Sequence, residues 1–296
     1  TSGGSATTPV PASGGLIFAT ASGKIVSVGA DGRVRWSVGA GKTVSSGIAL
    51  AGGFAIFCDK AFKLRALRAD SGAVGWERTL DGVLEFGSAP VASGGTIYLG
   101  TSTGNFYAID AATGKDKWAA PFRAASGIYV TPVVSGANVV FASEDQRAYG
   151  VNASTGSKAW SFDTGARIIA AGPALAGDKV IVANASGRVV ALNVSTGALV
   201  WEYLAGKKVN ATPAVADGKV IVASADGVVH ALRATDGGVA WKTESLGRKI
   251  EAAPAISAGV VYVATSDGKL YALAGGDGRV IWFQGIDAGV SAGLVV

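Results

Sequence analysis

Methionine is absent from this chain, cysteine and histidine occur once each, and only 16% of the residues are charged. A disulfide framework, a Cys/His zinc cluster and a redundant Cys–His nucleophilic pair all need several such side chains, so Cys58 and His230 exclude them. Cys58 sits in the apolar run FAIFCD and reads as a small buried hydrophobe. His230 occupies a strand position that is Tyr107 or Tyr271 in other parts of the chain, so it reads as packing. Long apolar runs are missing too. None reaches the roughly eighteen residues a spanning helix needs, despite a mean hydropathy of +0.38, and the chain reads as soluble with no membrane insertion of its own. The scarcity of cysteine fits an extracytoplasmic setting, periplasmic or extracellular. Residues 1–15, TSGGSATTPVPASGG, have linker composition without the basic and apolar regions of a signal peptide.

What is abundant is glycine, 44 of 296 residues, and a strictly spaced tryptophan. Trp36, Trp76, Trp118, Trp160, Trp201, Trp241 and Trp282 are separated by 40, 42, 42, 41, 40 and 41 residues. Each is preceded at four positions by glycine: Gly32, Gly72, Gly114, Gly156, Gly197, Gly237 and Gly278. An internal repeat of this length is the period of propeller blades, and it predicts an all-β, seven-bladed β-propeller of four-stranded antiparallel blades. The seven tryptophans are then architectural. The expected organisation is residues 1–12 as a flexible linker or redundant strand, followed by one domain over 13–296.

Within residues 250–282 the pattern IEAAPAISAGVVYVATSDGKLYALAGGDGRVIW alternates short apolar runs with SAG, SDG and GGDG. Four strands of about five residues follow, and SDG predicts a hairpin with a primed turn whose positive φ falls on Gly268. Blades two and four depart from this with DKAFK and EDQR, which leaves Phe62 in a turn, either folded on its own blade or offered to a partner. Proline recurs at one register, Pro9, Pro90, Pro132, Pro173, Pro213 and Pro254, as suits a strand start. The C-terminal GVSAGLVV aligns there as well, with Leu294 in the proline place. It is expected to close the ring in preference to the Pro-rich start; the rival is a longer propeller that has lost an eighth blade.

The segments ALRADSGAVGW, AIDAATGKDKW, GVNASTGSKAW, ALNVSTGALVW, ALRATDGGVAW and ALAGGDGRVIW resemble the tryptophan-docking motif of the pyrroloquinoline-quinone-type, or quinoprotein-like, β-propeller repeat family. The resemblance covers nearly the whole chain. It implies that each indole stacks on the motif glycine of a neighbouring blade. The family includes quinoprotein dehydrogenases, a lipoprotein subunit of the outer-membrane β-barrel assembly machinery, and sensor domains of bacterial membrane serine/threonine kinases. The dehydrogenases carry a vicinal disulfide, a calcium site and a catalytic aspartate. A lone Cys58 makes no such disulfide, and none of their functional residues transfers to this sequence.

Candidate binding residues come from the loop entering each innermost strand. Six residues before the proline register stand Lys42, Arg167, Lys207 and Arg248, and the next position adds Lys208 and Lys249. With a net charge of +5 and a pI near 9.3, these predict a basic arc at one mouth of the channel. Solvated turn residues that keep an apolar protein soluble are the alternative. Tyr129, Asn210 and Glu251, three residues before the same register, are expected near the channel wall. Scattered cations without interleaved exposed aromatics fit nucleic acid poorly, and Glu251 has no second carboxylate for acid/base work. The reading is a non-catalytic, monomeric binding propeller of the sensor or assembly-scaffold type, without metal or cofactor, whose partner is a protein or a small anionic ligand. A quinone-dependent oxidoreductase and a structural or engineered ring with no ligand stand beside it.

Overall fold

The computed structural model describes residues 7–84, 88–286 and 294. Every regular element among them is a strand, and the strands form seven four-stranded sheets over 10–39, 49–79, 91–123, 133–163, 174–204, 214–242 and 255–285. Each sheet is a meander in chain order. These sheets are the blades of a β-propeller, numbered one to seven. The chain divides into two compact units, Thr1–Val139 with Asn152–Ser157, and Val140–Val151 with Lys158–Val296.

Blade five shows why these residues make these strands. Lys179–Ala183 reads KVIVA, and its last four residues are buried on both faces, as β-branched runs are in a strand covered from two sides. The outer strand Leu199–Leu204 instead alternates, with Trp201 buried and its neighbours exposed. Ala191 pairs with Trp201, and the register then shifts between Ala191 and Leu192. The same bulge recurs at Ser27/Val28, Ala66/Leu67, Gly150/Val151, Ala231/Leu232 and Ala272/Leu273. A bulge adds one residue and re-aims the side chains after it, and here it falls opposite the tryptophan each time. Blade three differs: its outer strand is only Phe122–Arg123, because Pro121 offers no N–H to the ladder and Trp118 falls in the bend before it.

In the first unit the indole N–H of Trp36 donates to Ala69 O at 3.1 Å, Trp76 to Ala111 O at 2.9 Å and Trp118 to Ala153 O at 3.0 Å. In the second, Trp160 donates to Val194 O at 3.0 Å, Trp201 to Ala234 O at 3.1 Å and Trp241 to Gly275 O at 2.9 Å. Every acceptor lies three residues before the repeat glycine of the following blade. Those six glycines have φ between 71° and 77°, and a Cβ on any of them would sit within 3 Å of the indole. The glycine is thus required twice, for its left-handed backbone and for the approach of the ring. At Gly32 the corresponding space is open. The seam continues inward as an apolar cluster; between blades five and six it joins Ile181, Val189, Ala191 and Trp201 to Val220, Val222 and Leu232.

Two expectations are corrected. Val10–Ala12 is the first strand of blade one, paired Val10↔Ile17 and Ala12↔Gly15, so residues 10–12 belong to the sheet and not to a linker. Pro9 places them at the register of the other prolines, and Pro11 is tolerated because an edge strand turns alternate N–H groups away from its partner. The expected closure by GVSAGLVV falls, apart from Leu294, outside the described residues. The second correction concerns the hairpin. Only Gly268 of Ser266–Gly268 has positive φ, at 80°, and its N–H donates to Thr265 O at 3.0 Å. That is a type I turn closed by a left-handed residue, not a primed turn. In blades two and four Phe62 and Gln146 hold this left-handed position, at φ 65° and 73°, and Phe62 is exposed.

Gly206 and Gly237 separate the two demands on glycine, since both have positive φ but only Gly237 faces an indole. Gly206→Ala is expected to cost about 1–2 kcal/mol, the left-handed penalty alone. Gly237→Ala adds overpacking against Trp201, about 1–3 kcal/mol more, read as a lower urea midpoint at unchanged slope.

Candidate basic loop site

The chain passes from the outer strand of one blade to the inner strand of the next through a loop tied at both ends to hairpin turns. In the second unit Ala205 N–H donates to Gly187 O at 2.8 Å, on the turn of blade five, and Lys208 O accepts from Ala225 N–H at 3.0 Å, on the turn of blade six. The next loop repeats this: Leu246 N–H reaches Gly227 O at 2.9 Å, and Lys249 O accepts from Ser266 N–H at 2.8 Å. One loop earlier, Arg167 O accepts from Ala185 N–H at 3.0 Å. An apolar residue follows each of these acceptors, namely Ile168, Val209 and Ile250, and each is at most 1% exposed. The anchor holds the loop down while the preceding side chains stand in solvent.

This anchor corrects the register. Counted from the proline, Arg167 aligns with Lys207 and Arg248; counted from the backbone contacts, it aligns with Lys208 and Lys249, because the loops differ in length. The sequence signal is the cation–apolar step in ARI, KKV and RKI.

Lys207, Lys208, Arg248 and Lys249 are exposed at the turn end of blades five to seven. Among the described residues, none of the four has a carboxylate within salt-bridge distance, whereas Arg167 is paired with Glu144 at 2.8 Å. Asp267 is held below the usual carboxylate range, first by the Thr265 hydroxyl, and Arg248 adds to that effect. Asn210 is half-buried and Glu251 exposed, each directly after an anchor. Lys42, exposed, and Tyr129, half-buried, lie in the first unit.

A second set of polar residues includes the strand position that the sequence aligned at His230, Tyr107 and Tyr271 and assigned to packing. One register of the third strand faces the hairpin turn and carries Arg65, Tyr107, Tyr149, His230 or Tyr271. Arg65 Nε lies 3.4 Å from the wholly buried Asp59, and its Nη1 3.2 Å from Glu77. The Tyr107 hydroxyl donates to Asp81 at 3.0 Å and that of Tyr149 to Asp145 at 2.7 Å. In blade six His230 Nδ1 meets the Tyr203 hydroxyl at 3.0 Å, and Nε2 faces Ser224 Oγ at 3.4 Å. Burial holds His230 below the usual imidazole range, against a smaller upward pull from Asp226. Three of the five residues at this register are tyrosines, but their partners differ from blade to blade and only the three-dimensional structure gives them.

A model of the family described as outer membrane protein assembly factor BamB matches residues 60–208 and 166–292. The chain belongs to that family. No curated protein gives a sequence match. Among solved structures, BamB from Moraxella catarrhalis is similar with a TM-score of 0.81 and 21% identity, over 98% of this chain and 88% of that one. The computationally designed Ika8 protein gives 0.84 and 17%, over 97% and 89%. The quinohemoprotein alcohol dehydrogenase ADHIIG from Pseudomonas putida HK5 gives 0.78 and 15%, over 97% and 67%. At such identities the likeness is one of fold. The described residues of this BamB-family chain hold neither the vicinal disulfide nor the metal site that the resemblance attaches to the quinoprotein dehydrogenases. Cys58 is single and buried, its thiol pushed up to about 11 by burial, and the described residues hold no group of three or more His, Cys, Asp and Glu placed for a metal ion.

His230 sets an acid limit on stability. Its folded value lies below the unfolded one near 6.5, so the unfolded chain takes up the proton first, and stability falls as the pH drops below that value. His230→Tyr, the residue of blades three, four and seven, is expected to flatten the decline in Tm between about pH 6.5 and pH 5.

Proposed function

We propose that this BamB-family chain is a non-catalytic protein-interaction scaffold that works outside the cytoplasm in outer-membrane protein assembly. It presents the turn end of blades five to seven to an acidic segment of a partner protein. The observation that carries this reading is the row of four exposed cations, Lys207, Lys208, Arg248 and Lys249, mounted on buried anchors and without a carboxylate partner among the described residues. Exposed cations on a rigid frame raise the rate of encounter with an acidic partner and set its register. The family match favours assembly over the sensing role of membrane kinases. The lone buried Cys58 weighs against a quinone-dependent oxidoreductase. Asn210 and Glu251, on the same loops, are proposed to add contacts, and Lys42 and Tyr129 are proposed as binding residues of the first unit on its own.

Binding of a synthetic Asp/Glu-rich peptide, measured by thermophoresis at low and high salt, tests the reading. Lys207→Glu combined with Arg248→Glu is expected to weaken binding by about tenfold or more, since each unfavourable charge pair costs on the order of 1 kcal/mol. Tm should stay within a degree or two, because the anchors Val209 and Ile250 are untouched. Equal affinity in the variant would assign the four cations to solubility, and equal competition by inorganic phosphate would point to a small anion in place of a protein.

A further inference from the structure

In blade three Asp116 and Lys117 directly precede Trp118, where blade five carries Leu199 and Val200 ahead of Trp201. Blades one, two, six and seven likewise place an exposed valine at the first of these positions, Val34, Val74, Val239 and Val280. The fold needs no charge here. Asp116 and Lys117 instead stand with Thr96, Tyr98, Asp110 and Ser154 around an open groove of about 430 Å³, which lies wholly in the first unit.

The seam itself fixes one wall. Ala153 O accepts both the Trp118 indole N–H at 3.0 Å and the Tyr98 hydroxyl at 3.1 Å, and the Tyr98 and Trp118 rings lie 6.0 Å apart. Tyr98 is buried, so its ring is a rigid apolar surface. The charged side chains are held as firmly. Arg78 grips Asp116 with Nη1 at 2.9 Å and Nη2 at 3.3 Å, while the backbone N–H and the hydroxyl of Thr113 donate to Asp110 Oδ1 at 2.9 and 2.8 Å. Lys117 Nζ stands 3.9 Å from Asp110 Oδ2, close enough to pair charges but too far for a hydrogen bond. Oδ2 is therefore free to accept, and Nζ to donate, elsewhere.

Two carboxylates answered by two cations give an ionic ligand no net attraction. What the groove offers is a set of oriented acceptors and donors beside an aromatic wall, which suits a ring that bears adjacent hydroxyls and an apolar C–H face. We propose that this groove of blade three binds a neutral saccharide unit. Asp110 and Asp116 accept from its hydroxyls in charge-assisted hydrogen bonds, Lys117 donates to its oxygens, Thr96 and Ser154 add hydroxyls, and Tyr98 meets the C–H face. The volume falls in the range of small-ligand sites, about 300–1,000 Å³. The site belongs to the first unit and the cations of blades five to seven to the second, so the proposal goes beyond the scaffold role and stands apart from it.

The test is amide-shift mapping by NMR on the whole chain, with maltose and N,N′-diacetylchitobiose as probes. At least one of them should move the signals of Lys117, Ala153 and Ser154, with a Kd on the order of 1 mM. That Kd should be the same at low and high salt, since no net charge is neutralised. Asp116→Asn and Lys117→Val should each weaken the binding about tenfold, the loss of one hydrogen bond to a charged group. Tm should stay within a degree or two in both, because the two side chains are exposed. Salt-sensitive shifts at these signals with cadaverine or inorganic phosphate, and none with either sugar, would overturn the proposal. So would sugar-induced shifts that map elsewhere or persist in both variants, or the absence of any shift at about ten times the expected Kd.

Discussion

The contact on which the rest depends is that between an indole and a glycine of the next blade. A strand edge offers only a row of backbone groups, and a four-stranded sheet of thirty-odd residues buries too little apolar surface to stand alone. The bulge opposite each tryptophan turns its ring out of the sheet, the carbonyl before the glycine receives the N–H, and the missing Cβ lets the two surfaces close. Truncating a buried aromatic of this kind costs about 3–5 kcal/mol. Six such joints within the two units leave the interior strands free to be plain runs of Val, Ile and Ala, and the loops free to carry charge.

Much of the fold was legible because its signal is one-dimensional. Tryptophan and glycine four residues apart, repeated at a period near 41, need no knowledge of space. Where the reading failed, two arrangements shared one pattern. A primed turn and a type I turn with a left-handed closing residue both want glycine where Gly268 stands, and only the φ of its neighbours tells them apart. The first strand of blade one had two claimants, and the Pro9 register, visible in the sequence, deserved more weight than the apparent weakness of a strand containing Pro11.

The candidate site was legible by type but not by alignment. The cations stand where the loops were expected, yet Arg167 belongs with Lys208 and Lys249, since loop lengths vary between the anchor and the proline. The buried polar register was legible as a shared position of His230, Tyr107 and Tyr271, but not by its polar partners. Arg65, Tyr107, Tyr149 and His230 each meet a polar partner, drawn from the hairpin turn for Arg65 and Tyr149, from the entering loop for Tyr107 and from the outer strand of the preceding blade for His230. Each blade solves the same problem, a polar end to an apolar strand, with a different pair.

The anchors have a consequence for how binding properties change over time. Because Ile168, Val209 and Ile250 fix the loop backbone from below, the exposed side chains of Lys207, Lys208, Arg248 and Lys249 can change at little cost to the fold's stability. Each loop is held by its own hydrogen bonds to its own turns, so a change in one leaves the next in place. Energies at such separated, independently mounted positions add. Affinity for a partner can therefore be adjusted in small steps, blade by blade, upward or downward, with no step passing through an unfolded intermediate sequence.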